Sequence, residues 1–377
     1  MKIIKYIKEY GLGKTLEDFN LKSKDYGHKI IIKYSQITSN FTHEEVREAR
    51  GLILEKDTWK IMSFAFKKFF NSEESHAANI DFNNALILEK CDGSMLQLYY
   101  DWIKKEWCVG TTGTAEGEGE VNNKLNTNFN SLFWNTVKDK YNLDNNKLNK
   151  RYCYVFELCT PFNIVVKPHS ESSATLLTIR DLDTLKEISF VKMAEIALEL
   201  NLPFVKSYDF KMNNFGDLKK KFINMPWSEE GYVVVDNNFN RVKLKNPAYV
   251  SVHHTKGKMG NHHIMGVIKT NECDEFIATF KERENEIREL EIGYKNLLNK
   301  LTVVWDLLSN SLPKDLSKNE QKKFALLIFK LCEEYNLKNF SGLFFGLSNN
   351  KINDINDYMF NFNNKQLYNL LINKINL

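Results

Sequence analysis

The period of the apolar residues changes once along this chain, near residue 254, and that change limits the fold to two unlike parts. Before it, short runs are either apolar throughout or alternate with polar residues, as strands do. Segments 29–34, 51–55, 61–64, 85–89, 97–100 and 106–109 read this way, followed by 152–157, 176–179, 231–235 and 241–245. Asn-rich turns separate them, and helical spacing interrupts at 116–141 and 190–200. After residue 255 the strand signal stops. Apolar residues recur at helical spacing over 276–308 (Ile287, Leu290, Leu297, Leu298, Leu301, Val304), and Pro313 breaks that run. Segments 318–331 and 357–375 continue as amphipathic helices. The expected fold is therefore α+β: an antiparallel-sheet domain over 1–254, then an all-helical domain over 255–377, with Gly257 and Gly260 at the junction.

Charge narrows the function less than the pattern narrows the fold. Among 377 residues, 52 basic side chains face 48 acidic ones, an excess of +4 that permits a nucleic-acid partner without demanding one. Six cysteines lie singly, with neither a zinc spacing nor a disulfide framework, and read as reduced thiols. The first residues lack the apolar core of a signal peptide, and no apolar run approaches the roughly 18 residues that cross a bilayer. A cytoplasmic monomer without a membrane partner is expected, in the host's cytoplasm if the protein is viral.

The stretch Lys90-Cys91-Asp92-Gly93-Ser94 carries the most chemistry. It joins the apolar run 85–88 to the alternating run 95–100, which places the lysine between two strands. A lysine amine becomes a nucleophile only when burial or nearby cations pull its pKa down. Alone, the pentapeptide is more simply a hairpin turn. Glu157 alone is a strand-edge carboxylate, and Lys243 with Lys245 alone are a solvated strand face. Glu230-Gly231 places another carboxylate directly before an apolar strand. Together they describe nucleotidyl transfer: a lysine nucleophile, cations for an α-phosphate as pyrophosphate leaves, and an oxygen ligand for a hard cation.

The order Lys90-x-Asp92-Gly93, Glu157, Glu230-Gly231 and Lys243-x-Lys245 resembles motifs I, III, IV and V of the covalent nucleotidyltransferases, the ATP-dependent ligases and capping enzymes. Ala49-Arg50-Gly51-Leu52, Lys67-Lys68-Phe69-Phe70-Asn71, Thr160-Pro161-x-Asn163 and 249–256 narrow the resemblance to the bacteriophage RNA ligase 1 family, the tRNA-repair ligases. The similarity covers most of 30–256. It implies an ATP-dependent RNA ligase that passes AMP from ATP to Lys90, then to an RNA 5′-phosphate, before a 3′-hydroxyl seals the strand. Arg50 and Lys68 would hold the β- and γ-phosphates, Glu157 the ribose, Glu230 a catalytic Mg²⁺ (or Mn²⁺), and Lys243 and Lys245 the α-phosphate. Tyr34, Glu89, Asp92 and Gly93 join the nucleotide-binding set, Asp92 in a positioning role and Gly93 by admitting a close nucleotide. Nicked tRNA is the implied partner, with specificity from the helical domain.

Two departures stand out. Thr112 occupies a position where the family usually carries a basic residue, so the missing contact would come from elsewhere, with Lys104 or Lys105 as candidates. Segment 176–180 offers no aromatic ring for stacking, so base packing is expected to be aliphatic. The rival readings are a DNA-end ligase or a capping enzyme, disfavoured because no OB-fold pattern follows Lys245. A third is an RNA-binding protein without catalysis, which the intact lysines and glutamates count against. His253-His254 and His262-His263 lack a zinc spacing and read as loop histidines. Phe344-Phe345 reads as core packing.

Overall fold

The computed structural model describes residues 1–122, 127–162, 166–250, 264–312 and 318–375. The chain divides into two compact units, Met1–His253 and His254–Leu377.

The first unit holds three sheets and a two-stranded ribbon. One sheet runs β1 (Leu21–Asp25), β2 (Lys29–Tyr34), β3 (Arg50–Glu55) and β4 (Ile61–Ser63), all antiparallel. A second has the order β13-β6-β14-β15-β5, from β5 (Phe70–Asn71), β6 (Leu86–Glu89), β13 (Ser207–Tyr208), β14 (Gly231–Val235) and β15 (Arg241–Lys245). Its β5–β15 pair is parallel, a departure from the all-antiparallel expectation. The third has the order β12-β11-β7-β8, from β7 (Ser94–Asp101), β8 (Glu106–Gly110), β11 (Tyr152–Cys159) and β12 (Ser173–Asp181). The ribbon pairs β9 (Glu120–Asn122) with β10 (Thr127–Asn128).

Buried Gln97 on β7 ties the first sheet to the third. Its amide nitrogen donates to the carbonyls of Gly51 (2.6 Å) and Thr111 (3.3 Å), while its oxygen accepts from Ser63 Oγ at 2.7 Å. Three strands are thereby fixed by one side chain whose hydrogen-bonding capacity is used within the protein. The helix expected over 116–141 begins only at Phe129. Gly117 at φ +65° and the short ribbon occupy the stretch before it, and Asn128 caps the helix by accepting from the Ser131 N–H. Among the helices that went unread are Lys2–Tyr10, which buries Ile3 and Ile7, and Leu12–Asp18.

Among its described residues the second unit is helical. The expected helix over 276–308 is two, Cys273–Thr279 and Glu284–Ser309, with a short 3₁₀ turn between. Arg288 pairs with Asp274, which one straight helix would hold roughly 21 Å apart along its axis. The 357–375 helix is likewise divided, into Ile355–Asn361 and Asn364–Ile375. Buried Lys269 fills that break, donating to the Phe360 carbonyl (3.2 Å) and Asn364 Oδ1 (2.8 Å). Phe344 is buried and Phe345 meets the edge of Phe329, both packing rather than presenting open ring faces. Five cysteines are buried, Cys91 is half-buried, and all six are free thiols. Among the described residues no helix is long and apolar enough to cross a membrane. Pro313, Asn163, Gly257, Gly260, the two histidine pairs and 251–256 of the post-Lys245 segment lie outside the described residues.

Candidate active site

Two hydrogen-bonded strands fix the centre of the site. Lys90 follows β6, and its N–H donates to the Gly231 carbonyl at 3.0 Å, one rung beyond the Glu89–Tyr232 pair. Glu230 precedes β14, so the ladder sets the lysine and the glutamate side by side. Lys90 Nζ lies 2.5 Å from Glu230 Oε1, and Lys245 Nζ lies 3.9 Å from the same oxygen. The buried carboxylate is thus matched by two ammonium groups, as burial of a charge requires. Gly231 has φ +138°, and a Cβ there would stand 2.1 Å from the Leu244 carbonyl oxygen. Any other residue would push β15 and its lysines away.

Asp92 lies behind Lys90. Its buried carboxylate accepts from the N–H groups of Val166 (3.1 Å) and Lys167 (2.5 Å) and from the Tyr249 hydroxyl (2.9 Å). These bonds tie the loop that carries Lys90 to Val166, Lys167 and Tyr249. Gly93 also packs closely against a neighbouring strand. A Cβ there would stand 2.5 Å from the Leu158 carbonyl, so Gly93 admits a close approach of β11 as well as lining the cavity described below. Its N–H donates to Glu157 Oε1 at 3.1 Å. Burial pushes the Glu157 carboxyl up to about 7; Glu230 adds to this, while Lys90 and Arg50 oppose it.

The cationic end of the site rests on Arg50 and Lys68. Arg50 opens β3, its guanidinium lies over Phe69 at 5.1 Å, and its buried Nη1 has no hydrogen-bond partner. Lys68 is half-buried, its ammonium facing the rings of Tyr34 (5.6 Å), Phe41 (5.4 Å) and Phe70 (5.7 Å). Burial holds it down to about 7, with Lys243 and Arg50 pushing the same way. Tyr34 meets both cations, so it orders this end from behind. An orphaned guanidinium nitrogen beside a depressed lysine is a site lacking an anion.

A cavity of about 540 Å³ collects Arg50, Lys68, Glu89, Lys90, Gly93, Glu157 and Lys243. Tyr34, Asp92, Glu230 and Lys245 stand outside its lining, each one contact behind a lining residue: Tyr34 on Arg50, Asp92 in the Lys90 loop, Glu230 on Lys90, and Lys245 on Glu230. Leu177, Val233 and Met95 give it aliphatic walls. Phe66, Phe69 and Phe129 also line it, a feature the sequence did not announce. Thr111, Thr112 and Gly113 close one side. Lys104 does not reach there; its ammonium is 2.6 Å from Glu116, and neither it nor Lys105 lines the cavity. Lys33 does approach. It is the register partner of Arg50, so both project from one sheet face, and its Nζ lies 3.5 Å from where a Gly113 Cβ would stand. Only the pairing of β2 with β3 reveals it.

For a divalent cation, Glu230 offers a single buried carboxylate. Among the described residues no group of three or more acidic, His or Cys side chains is placed to hold a metal ion. One protein carboxylate completed by substrate phosphate oxygens suits a hard, mostly hydrated ion.

A family model described as RNA ligase, of the T4 ligase 1 type, matches residues 48–249, more than half the chain. The chain belongs to the bacteriophage RNA ligase 1 family. It is an ATP-dependent RNA ligase with the α+β fold described above. The ligase is 26% identical over 375 residues to an RNA ligase of Rhodothermus phage RM378, covering 83% of this chain and 84% of the phage protein. It is 25% identical over 334 residues to a putative bifunctional polynucleotide kinase/RNA ligase of Autographa californica nuclear polyhedrosis virus, covering 83% of this chain. The ligase spans only 45% of the length of that viral protein. A solved archaeal ATP-dependent RNA ligase overlaps 90% of this chain and 81% of its own, at 12% identity and a TM-score of 0.45.

Proposed function

We propose that this ligase works through Lys90. The Lys90 amine attacks the α-phosphorus of ATP, a bond from Nζ to phosphorus forms, and the bond to pyrophosphate breaks. AMP then passes to an RNA 5′-phosphate, and an RNA 3′-hydroxyl displaces it to seal the strand. The observation that carries this reading is the placement of Lys90 in one cavity with Arg50, Lys68, Lys243 and Glu157, its Nζ 2.5 Å from Glu230.

The position of these residues around one cavity supports the following roles. Arg50 and Lys68 hold the phosphate tail, with Lys33 supplying the cation that Thr112 does not. Lys243 meets the α-phosphate, Lys245 supports it from beside Glu230, and Glu157 holds the ribose. Leu177 on β12 and Val233 on β14 offer aliphatic faces for the adenine. Glu230 would hold Mg²⁺ or Mn²⁺, which supplies positive charge to the phosphates. The substrate we assign is broken tRNA, with the helical unit as its specificity element and a monomer as the working form. A relative whose name joins polynucleotide kinase to RNA ligase fits repair of broken RNA ends.

The test is incubation with α-labelled ATP and Mg²⁺, then denaturing electrophoresis, with Lys90→Ala alongside. Label retained on the wild type and lost in the variant supports the reading. A folded wild type that takes no label, even after pyrophosphate strips any bound AMP, rejects it.

A further inference from the structure

A second cavity, of about 740 Å³, adjoins the nucleotide cavity and shares Phe66, Lys68 and Phe69 with it. Among its remaining charged residues, Lys and Arg outnumber the carboxylates Glu44, Glu48 and Glu187. Lys2 and Lys67 pair with Glu44, and Arg180 and Arg241 with Glu187. Lys5, Arg47 and Lys186 have no carboxylate partner among the described residues. The Arg47 Nε is buried without a hydrogen-bond partner, and its carbonyl accepts from the Lys68 N–H at 2.7 Å. Positive charge therefore exceeds negative, and it continues without a break from Lys68 outward.

We infer that this cavity receives the 5′-phosphorylated end of the RNA. The inference rests on the lysyl-AMP reading above and extends it through the geometry of displacement. Attacking and leaving groups at phosphorus lie roughly in line. Pyrophosphate leaves on the side opposite Lys90, toward Lys68 and Arg50. In the second step Lys90 is itself the leaving group: an oxygen of the RNA 5′-phosphate bonds to the AMP phosphorus, the bond to Nζ breaks, and the amine recovers a proton. The RNA phosphate must therefore arrive where pyrophosphate departed. Two cavities flank the nucleotide site along this line. One, of about 240 Å³, borders Lys90 and Glu230, on the nucleophile's own side. The basic cavity opens past Lys68, on the required side. Its unpaired cations match a polyanionic strand, and half-buried Phe69, shared by both cavities, offers a ring for the terminal base.

The experiment separates the steps. Wild type, Lys5→Ala/Lys186→Ala and Arg47→Gln are charged with α-labelled ATP, and protein-bound label is counted. Each is then mixed with a short 5′-phosphorylated single-stranded RNA, below saturation, at a series of salt concentrations. The first two substituted residues are exposed, so that variant folds and charges. Transfer of label to RNA is expected to slow about tenfold in the double variant, with a salt slope shallower by roughly one per removed cation. Arg47→Gln is expected to slow transfer similarly, and Arg47→Lys to restore it in part. Charged variants that transfer label at the wild-type rate, with the wild-type slope, would overturn the inference and leave the lysyl-AMP reading intact. A wild type that never charges would remove both.

Discussion

Lys29 and Lys68 are two lysines withdrawn from water in the same unit, and their surroundings drive them in opposite directions. Lys29 is fully buried, with its ammonium 2.9 Å from Asp101 and 3.0 Å from Glu116. Burial alone would lower it, but those carboxylates and nearby Cys108 together raise it above the ordinary lysine value. Lys68 faces three rings, with Lys243 and Arg50 near and only Glu74 acting the other way, and it is held down to about 7. A fold that supplies its own carboxylates to a buried lysine has made a strut. One that leaves the lysine among cations has left the counter-ion to come from the substrate.

The sharpest way to break this contrast is to exchange both lysines for methionine. Lys68→Met should lower self-labelling by ATP about 10²–10³-fold, the scale of one lost charge-stabilising donor, while Tm stays level or rises. Lys29→Met should do the reverse: it leaves buried Asp101 with only His28 and two main-chain donors, takes from Glu116 one of its two ammonium partners, and lowers unfolding free energy by about 3 kcal/mol. Its labelling per folded molecule should stay near wild type. Urea melts and gel labelling of the two proteins, run together, decide it; matching behaviour would dissolve the distinction.

A smaller effect follows from the Lys68 value of about 7 in the free protein. A bound phosphate raises that value, so binding takes up a proton between the free and bound pKa values. Affinity for ATP should therefore weaken as pH rises above 7, by up to about tenfold per unit. Calorimetry in two buffers of different ionisation heat would register the proton uptake, and Lys68→Arg should flatten the profile. The smallest effect belongs to Lys33→Ala, expected to raise the KM for ATP about fivefold, the ~1 kcal/mol scale of a half-exposed ionic contact. No change there would return the question of Thr112 to another residue.

Much of the strand framework was legible because its residues alternate or run apolar: 231–235 and 241–245 were read to the residue. What escaped depended on partners distant in sequence. The 116–141 pattern looked helical, yet Gly117 needs a positive φ and the helix starts at the Asn128 cap. The long C-terminal helix bends because Asp274 and Arg288 meet. In the site, motif residues declared themselves through spacing along single strands. Lys33 could not, since its role comes from lying opposite Arg50, nor could Phe129, which reaches the cavity from a helix start. The sharing of Glu230 between Lys90 and Lys245 needed the β6–β14–β15 order, which nothing local encodes.

The rung from Lys90 to Gly231 has one more consequence. The interval between the Lys90 and Gly231 backbones is fixed by main-chain atoms, at a strand spacing of roughly 4.8 Å. It works as a ruler whose length no side chain can alter. Around such a ruler neighbouring positions are free to drift, and the threonine at 112 leaves the pairing of Lys90 with Glu230 untouched.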